Sequence, residues 1–359
     1  MENNNSESKL NIIENKIKNK ENESSIQLED FFQTSLDDLE AFDNRCWNKG
    51  NGYKIPHYPL MEKHLEGGES GLYIFAGQSN SGKTAIMMNV LKDMCSCKEN
   101  KLFGVYYSLD DRKDVIIARI IAMEQQIPIG VANKPQRYKN MLDDIDNENV
   151  LLYQEYLDKR QQGINKLKSE NNMFKIEDTS KIKNSTDLKE HIKMVQTYIK
   201  SIDPEMNVIV AIDAVNDIQL DPTVFGKNKD NKSEDVATYI KDLAVDLDIM
   251  VFTSSHLRKL NGNRRPTVED LRDANTLVYE ASMVWLVYND VSINKNAAKV
   301  YWADTQANDN LGAVIELDWV KNKVSSYKGR TFCKFMPYYS LCQEASEQQC
   351  TTWENIIYQ

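Results

Sequence analysis

The sequence contains few of the residues that build zinc sites and disulfide frameworks. Its 359 residues include only four histidines and six cysteines, and no two cysteines have C-x-x-C spacing. The cysteines are Cys46, Cys95, Cys97, Cys333, Cys342 and Cys350. This scatter predicts reduced thiols rather than a structural zinc site or a set of disulfides.

Long apolar runs and an excess of basic charge are also missing. The sequence has no run of about eighteen apolar residues, and its first residues, MENNNSESKL, lack the pattern of a signal peptide. We therefore expect a cytoplasmic protein with no membrane partner. The net charge of −10 argues against a surface covered by nucleic acid, but a local basic groove or pore is compatible with it.

Chain length and N-terminal composition indicate the domain organisation. With 359 residues, 41% of them apolar, the chain can build one large domain or two modest ones. Residues 1–24 are rich in Asn, Glu, Lys and Ser, which predicts a disordered tail. Apolar residues then recur at three- and four-residue spacing from Ser25 to Phe42, which predicts an amphipathic helix within a linker segment, residues 25–57. Its apolar face needs a partner, either its own domain or a neighbouring subunit.

The stretch from Gly71 to Met94 carries the most informative motif. An apolar run at Leu72–Ala76 predicts a buried strand, the next residues fit G-x-x-x-x-G-K-[ST], and helical apolar spacing begins at Ala85. We call the middle segment the P-loop. It consists of Gly77, Gln78, Ser79, Asn80, Ser81, Gly82, Lys83 and Thr84. Flanked by a strand and a helix, this pattern predicts a nucleotide-binding site, whereas a chance Gly/Ser loop before a core helix is the alternative without function.

Each fixed position of the P-loop has a chemical reason. Gly77 and Gly82 allow the backbone to turn its N–H groups toward phosphate oxygens, and the helix N-terminus adds positive potential. Lys83 would contact the β- and γ-phosphates of ATP. Thr84 would offer its hydroxyl to Mg²⁺, an ion that takes few protein ligands. The predicted cofactors are therefore ATP and Mg²⁺, and we assign no other metal.

Two later strands end at carboxylates. The apolar run Asn207–Asp213, downstream of a P-loop, is typical of a Walker B strand, whose carboxylate holds Mg²⁺ through water. The run Leu102–Leu109 ends just before Asp110, at the edge where open α/β sheets place ligands. Asp110 could orient the attacking water. Alternatively, Asp110 or Asp111 could cap the helix that begins near Lys113.

Two loops that follow strands of the predicted sheet are basic. The first is Asp221–Lys232, and the second, Lys259–Arg265, follows a strand that ends just before His256. The loops are either merely solvated, or they converge on one face and follow a phosphate backbone. The candidate nucleic-acid-binding residues are Lys227, Lys229, Lys232, Arg258, Lys259, Arg264 and Arg265.

The order of elements predicts an α/β fold. Short strands alternate with helical segments at 138–171, 187–200 and 235–246, which indicates a mostly parallel sheet flanked by helices. Ser185 or Thr186 is the expected cap of the second helix. From Ala281 to Lys328 the pattern changes to short strands with turn signals, namely 281–288, 297–304, 312–320 and 323–329, which predicts an antiparallel extension. We assign residues 58–330 to one ATPase domain and 331–359 to a C-terminal tail.

These pieces, in this order, resemble the ATPase domain of DnaB-type replicative helicases within the RecA-like family. The matching segments, besides the P-loop and the strand at 207–213, are Pro59–Gly68, Tyr107–Asp110, Phe174–Asp178, Ser255–Arg258 and Pro266–Asp273. The resemblance implies a RecA-like core and a ring, such as a hexamer, that grips single-stranded DNA in its pore. It also implies that the helix at 25–42 docks on the next subunit, and that the chain works in DNA replication, for example of a phage, beside other replication proteins.

The chain departs from the family at three places. The family's catalytic glutamate corresponds to Asp110, which is one methylene shorter, and its glutamine sensor corresponds to His256, which still forms hydrogen bonds. The hairpin that carries a lysine and an arginine finger in the family reads Ala303-Asp304-Thr305-Gln306 here, without a cation. A partner protein or a flanking lysine could supply the charge. The flanking lysines are Lys299, Lys321 and Lys323.

Two functions from different classes remain open. One is an ATP-hydrolysing, helicase-like motor on single-stranded DNA, with catalysis by Lys83, Asp110, Asp213 and His256. The other is a non-motor nucleotide switch, such as a helicase loader, scaffold or inhibitor, which the missing finger cations favour. A small-molecule kinase fits less well, because the sequence has no Arg-rich lid. ATP turnover with and without single-stranded DNA discriminates between motor and switch.

Overall fold

The chain divides into two units, which are described separately. A computed structural model describes residues 28–48, 52–142, 149–170, 173–226, 232–271 and 274–358. The units are Met1–Gly52 and Tyr53–Gln359. The first unit contains a helix, α1 (Leu28–Asn48), which extends past the predicted end at Phe42. Within the described ranges, no helix combines the length and apolar character that crossing a bilayer requires.

One ten-stranded sheet forms the centre of the second unit. Its strands are β1 (Gly71–Gly77), β2 (Leu102–Ser108), β3 (Phe174–Asp178), β4 (Asn207–Asp213), β5 (Met250–His256), β6 (Met283–Asn289), β7 (Trp302–Ala303), β8 (Leu311–Asn322), β9 (Arg330–Met336) and β10 (Leu341–Glu344). Their order is β10-β9-β8-β6-β1-β5-β4-β2-β3, and β7 pairs with β8. The strands from β6 to β3 in this order pair in parallel, whereas β8, β9 and β10 continue the sheet antiparallel. This confirms the predicted fold class.

Helices accompany the sheet along the chain. They are α2 (Pro59–Leu65), α3 (Lys83–Ser96), α4 (Lys113–Gln125), α5 (Ile129–Asn133), α6 (Pro135–Asn140), α7 (Val150–Ser169), α8 (Ser185–Ile202), α9 (Pro222–Phe225), α10 (Lys232–Asp246), α11 (Ala274–Glu280), α12 (Asp290–Asn294) and α13 (Glu347–Tyr358). The helical segment predicted at 138–171 is mainly α7. Residues 143–148 and 171–172 lie outside the described ranges.

The two largest apolar clusters of the core lie on opposite faces of the sheet. Along β1, Tyr73 and Phe75 face α3, whereas Ile74 faces the layer that includes α8 and α10. Phe75 stacks on Trp285 with ring centroids 4.5 Å apart. Because every residue of β1 is buried, the strand reads as one apolar run, as central parallel strands do. This packing fixes the end of β1, where the P-loop begins.

Two predicted strands of the extension are largely absent from the described fold, because side chains bind their backbone. In the segment predicted as a strand at 297–304, Lys299 and Val300 donate their N–H groups to the carboxylate of Asp290, so that strand pairing is limited to Trp302–Ala303. In the segment predicted at 323–329, Asn322 accepts from the next backbone N–H groups and forms a turn. The following strand is β9 instead.

The C-terminal segment and one helix cap also differ from expectation. Residues 330–344 form β9 and β10 of the main sheet, and α13 packs on Phe332 through Trp353, so the segment that we separated as a tail is part of the same unit. The cap of α8 is Asn184, whose Oδ1 accepts from the Asp187 N–H at 2.9 Å. Ser185 is not the cap because its hydroxyl accepts from the Asp221 N–H at 3.0 Å, and Thr186 donates to the same residue at 2.7 Å.

Candidate functional site

The P-loop joins the end of β1 to the start of α3 and has room only for glycine at two places. Gly82 has φ +96° at the helix N-cap, a conformation that favours glycine. At Gly77, a Cβ atom would lie 2.6 Å from the Val287 carbonyl oxygen of the neighbouring strand β6. Local conformation and close strand contact therefore account for both fixed glycines of the motif.

Lys83 lies buried within the loop. Its side chain donates to the Gln78 carbonyl oxygen at 2.8 Å. Burial lowers the pKa of Lys83 to about 8, while the charge of Asp213 acts in the opposite direction. Burial disfavours the charged ammonium form of Lys83, and an anion bound beside it would stabilise that form.

Asp213, at the end of β4, accepts hydrogen bonds on both carboxylate oxygens. Oδ2 accepts from the hydroxyls of Thr84 and Tyr106, each at 2.7 Å, and Oδ1 accepts from Ser254. Burial raises the pKa of Tyr106 well above its ordinary value, with a further contribution from the charge of Asp213, so its hydroxyl stays protonated and donates. The fold thus brings together Lys83, Thr84 and Asp213, three of the predicted site residues. Sequence reasoning missed Tyr106 and Ser254, although polar side chains in otherwise apolar strands were a usable signal.

The donors and acceptors of this site fit a nucleotide with Mg²⁺. Ser81 Oγ is buried and has no hydrogen-bond partner among the described residues, and Lys83 lies beside it in the same loop. These groups, together with the α3 N-terminus, suit phosphate oxygens. A threonine hydroxyl and a carboxylate are oxygen ligands of the kind that Mg²⁺ prefers. Thr84 and Asp213 would therefore hold the metal.

Asp110 and His256 lie at the same edge of the sheet. Asp110 is exposed and follows Leu109, whose N–H donates to the Asp213 carbonyl oxygen at 2.7 Å. The His256 N–H donates to Asn216 Oδ1 at 3.0 Å. Both residues influence Asp217: burial raises the pKa of Asp217, Asp110 raises it further, and His256 opposes the shift. Sequence reasoning did not single out Asp217.

Helix capping does not explain Asp110 or Asp111. The N-cap residue of α4 is Arg112, and the Lys113 N–H donates to Asp178 Oδ2 of β3 at 3.0 Å. Asp111 instead forms an ion pair with Arg119 at 2.9 Å. The capping role that we considered for these two carboxylates therefore belongs to Asp178, while the water-orienting role of Asp110 stays a prediction.

The basic candidates differ in whether their charges are already paired. Arg264 forms two hydrogen bonds with the Asp270 carboxylate, and Arg265 does the same with buried Glu316 at 2.6 and 2.8 Å. Arg258 and Lys259 are exposed and form no side-chain hydrogen bond or ion pair with the described residues. Lys227 and Lys229 lie outside the described ranges, as does the side chain of Lys232.

The segment 303–306, where the resemblance implies a cation-bearing hairpin, forms hydrogen bonds with tyrosines of the same chain. The Gln306 carbonyl oxygen accepts from the Tyr338 hydroxyl at 2.6 Å, and Gln306 Oε1 accepts from the Tyr339 hydroxyl at 3.0 Å. Two of the three flanking lysines are engaged as well, since Lys321 and Lys323 donate to backbone carbonyls at the end of α11. Lys299 is exposed.

The sheet order and the loop at the end of β1 define a RecA-like ATPase fold. The family described as "DnaB-like helicase C terminal domain" matches residues 57–323, which is well over half of the sequence. The chain belongs to this family.

Individual relatives agree with this membership. The chain is 26% identical over 234 residues to a "Probable replicative DNA helicase" of Trieres chinensis, covering 64% of this chain and 45% of that protein. It is 24% identical over 232 residues to "Replicative DNA helicase DnaB" of Haemophilus influenzae, covering 64% and 44%. The chain thus spans about half the length of the curated relatives it matches.

Two solved structures share the fold. One is an isolated ATPase domain, which has a TM-score of 0.64 at 18% identity, covering 90% of this chain and 100% of that one. The structure of a DnaB-like replicative helicase, solved for its interactions with primase, has a TM-score of 0.66 at 19% identity, covering 95% and 76%.

Proposed function

We propose that the chain is an ATP-binding and ATP-hydrolysing domain of a helicase-like motor that acts on single-stranded DNA in DNA replication. The observation that carries the proposal is the meeting of Lys83, Thr84 and Asp213 at the ends of β1 and β4. The replicative helicases to which the chain is similar support the role in replication.

In this proposal each residue of the site has one task. Lys83 and the backbone N–H groups of the P-loop bind the β- and γ-phosphates. Mg²⁺, when bound with ATP, neutralises charge that develops on the phosphates during transfer. Thr84 and Asp213 are the residues that would hold the metal, Thr84 with its hydroxyl and Asp213 through water. Asp110 orients the attacking water, and His256 senses the γ-phosphate by hydrogen bonding.

We place single-stranded DNA at the basic loop that follows β5. Arg258 and Lys259 are exposed with unpaired charges among the described residues, so they are free to meet phosphates. Arg264 and Arg265 keep a lesser role, because they would first have to leave Asp270 and Glu316. Lys227, Lys229 and Lys232 belong to the proposal on sequence alone.

We further propose that α1 mediates assembly into a ring, such as a hexamer. Leu36, Leu39 and Phe42 of this helix are each more than half exposed, and Trp47 is 81% exposed. An exposed apolar face of this kind is typical of a helix that packs on another surface. In a ring-forming ATPase, that surface would belong to a second copy of the chain. Another replication protein is a further partner in this proposal.

A nucleotide switch without motor activity is the second candidate function. The hairpin that would carry a finger has no cation, and Gln306 is bound by Tyr338 and Tyr339 of its own chain. Such a protein would bind ATP and change its partner affinity without rapid turnover. Tight ATP binding together with turnover that single-stranded DNA does not stimulate would favour this switch.

Nucleotide binding by matched lysine variants tests the site. Lys83→Ala removes the charge beside the P-loop, and we expect ATP affinity to fall about 10- to 100-fold, because hydrogen bonds to charged groups contribute about 1.5–3 kcal/mol. Lys98→Ala removes the same charge from an exposed turn beyond the far end of α3 and should leave affinity unchanged. Equal ATP affinity in the parent and Lys83→Ala, measured by calorimetry, would contradict the proposal that the P-loop binds the nucleotide.

A further inference from the structure

Two side chains outside the P-loop hold the carboxylate of Asp213. Tyr106 lies on β2 and Ser254 lies on β5, the two strands that flank β4 in the sheet. The Tyr106 hydroxyl donates to Oδ2 at 2.7 Å, and the Ser254 hydroxyl donates to Oδ1. Asp213 is therefore held from both neighbouring strands.

The register of the strands accounts for this arrangement. Ser108 of β2 pairs with Asp213, and Tyr106, two residues earlier, lies on the same face as Ser108 because side chains alternate along a strand. On the other side, Ile212 pairs with Thr253, which places Ser254 beside Asp213. Both donors are essentially inaccessible to solvent, at 0% exposure for Tyr106 and 1% for Ser254, so water cannot easily replace either.

Counting acceptor sites shows what these bonds leave available. An ionised carboxylate has about four lone-pair sites. Tyr106, Ser254 and Thr84 occupy three of them. If Thr84 turns its hydroxyl to a metal, a second site becomes available, while Tyr106 and Ser254 still fix the plane of the carboxylate.

We propose that Tyr106 and Ser254 are positioning residues that orient Asp213 for Mg²⁺ at the nucleotide site. The inference rests on the proposed function, and it adds a specific division of work. Lys83 and the P-loop set the affinity for the nucleotide itself, whereas Tyr106 and Ser254 set the concentration of Mg²⁺ that the site needs. Partners that orient a metal ligand typically change metal affinity or activity 10- to 100-fold when they are removed.

Tyr107 offers a matched control in the same strand. It is also fully buried, and its hydroxyl shares a hydrogen bond with His191 Nδ1 at 2.8 Å. Its side chain packs in the apolar layer on the opposite face from Tyr106. Tyr107→Phe therefore removes a buried hydroxyl of the same kind from β2 without touching Asp213.

The experiment measures binding of a fluorescent ATP analogue to the full chain while Mg²⁺ is titrated. The variants are Tyr106→Phe, Ser254→Ala, Tyr107→Phe and Lys83→Ala. We expect Tyr106→Phe and Ser254→Ala each to raise the half-saturating Mg²⁺ concentration on the order of 10-fold, with unchanged affinity in EDTA. Tyr107→Phe should match the parent. Thermal unfolding checks each fold, and Ser254→Ala decides if Tyr106→Phe does not fold.

The outcomes separate this inference from the function on which it rests. If the parent binds the analogue with a clear Mg²⁺ dependence and both folded variants copy that dependence, the positioning role is overturned and the nucleotide site stands. An equal loss of affinity in EDTA and in Mg²⁺ would also overturn it, because general damage to the site would then explain the change. If neither the parent nor Lys83→Ala binds the analogue, the proposed function fails together with the inference.

Discussion

Gln306 occupies the place where the resemblance implies an arginine finger, and its polar groups are bound within its own chain. Its N–H donates to Asp304 Oδ1 at 2.9 Å, and its two oxygens accept from Tyr338 and Tyr339. A glutamine brings no net charge. In GTPases an arginine finger contributes on the order of 10³ to 10⁵ in rate. Together with the short side chain of Asp110, the missing charge leads us to predict that the protein alone would hydrolyse ATP slowly.

The Gln306→Arg variant tests this reasoning. We expect the parent to turn over ATP slowly, and Gln306→Arg to be faster in the presence of saturating Mg²⁺ and single-stranded DNA. Arginine has no acceptor for the Tyr339 hydroxyl, so its side chain is released from that contact. Thr305→Arg adds the same charge one residue away and serves as the control. A brisk parent rate that Gln306→Arg leaves unchanged or lowers would mean that the cation already comes from elsewhere.

At the scale of elements, α3 is fastened to its neighbours by a buried ion cluster. Lys92 of α3 meets Glu124 of α4 at 3.0 Å and also Glu170 at the end of α7, and each side chain is at most 11% exposed. Burial acts against the charge of Lys92, but the two carboxylates prevail and raise its pKa. The helix that begins at the P-loop is thus tied to its neighbours by a buried lysine between two carboxylates, which the half-exposed Lys166 also approaches at 3.4 and 3.8 Å.

Lys92→Met should destabilise the fold strongly. The change keeps most of the side-chain volume but leaves Glu124 and Glu170 buried without their main counter-ion, and we expect a loss of about 3–5 kcal/mol in the free energy of unfolding. Lys63→Met breaks the exposed pair with Glu347 and should change it by at most about 1 kcal/mol. Urea denaturation of both variants provides the comparison. Similar small losses in the two would show that the buried cluster contributes little.

Glu344 joins β10 to the start of α2 and makes stability depend on pH. Its carboxylate accepts from the N–H groups of Leu60 and Met61 at 2.6 and 2.9 Å. Burial raises the pKa of Glu344 to about 7, although these two donors oppose the shift. The folded state therefore keeps a proton that the unfolded state releases near pH 4.5. The stability from this group is fully present below about pH 4.5 and is lost as pH rises toward about 7.

Glu344→Gln removes this titration. Relative to the variant, the parent should lose on the order of 1–3 kcal/mol in the free energy of unfolding between pH 5 and pH 8. Chemical denaturation of both proteins at several pH values measures the difference. A constant difference across that range would contradict the raised pKa of Glu344.

The elements that were predictable are those whose own residues decide their structure. The strands at 72–76 and 207–213 are continuous apolar runs, and the P-loop has fixed residue types, so sequence alone located them. The segment at 297–304 has strand-like residues, but its backbone N–H groups bind Asp290, a contact that no local pattern reveals. Tyr106 and Ser254 stand out as polar side chains in apolar strands, but their contact with Asp213 depends on the register of three strands, which no local pattern reveals.

At the scale of the whole molecule, a net charge of −10 leaves few places where a nucleic acid would bind. Local ion pairs further reduce the number of cations that are available to bind phosphates, since Arg264 and Arg265 are each already paired with a carboxylate. Arg258 and Lys259 are the exposed basic candidates with no paired charge among the described residues. Affinity for single strands should therefore depend on a small number of cations.

Arg258→Ala combined with Lys259→Ala should weaken binding of oligonucleotides regardless of sequence. Each lost phosphate contact reduces the magnitude of the slope of log affinity against log salt by about 0.7 for single strands, so the loss of two contacts should reduce it by about 1.4. Lys98→Ala with Lys328→Ala removes two charges from other exposed positions and should change neither value. Fluorescence anisotropy across a salt series measures both the affinity and its salt slope. Identical slopes for the parent and the Arg258→Ala, Lys259→Ala variant would show that the binding surface lies elsewhere.

The most direct test of the account is the steady-state ATP hydrolysis rate of the full chain with and without single-stranded DNA, measured beside Lys83→Ala. We predict a slow parent rate that single-stranded DNA increases, and no turnover by Lys83→Ala in either condition, because the P-loop lysine would face the transferred phosphate in the proposed site. A parent rate that DNA does not change would contradict the motor. Hydrolysis that survives in Lys83→Ala would contradict the assignment of the site itself.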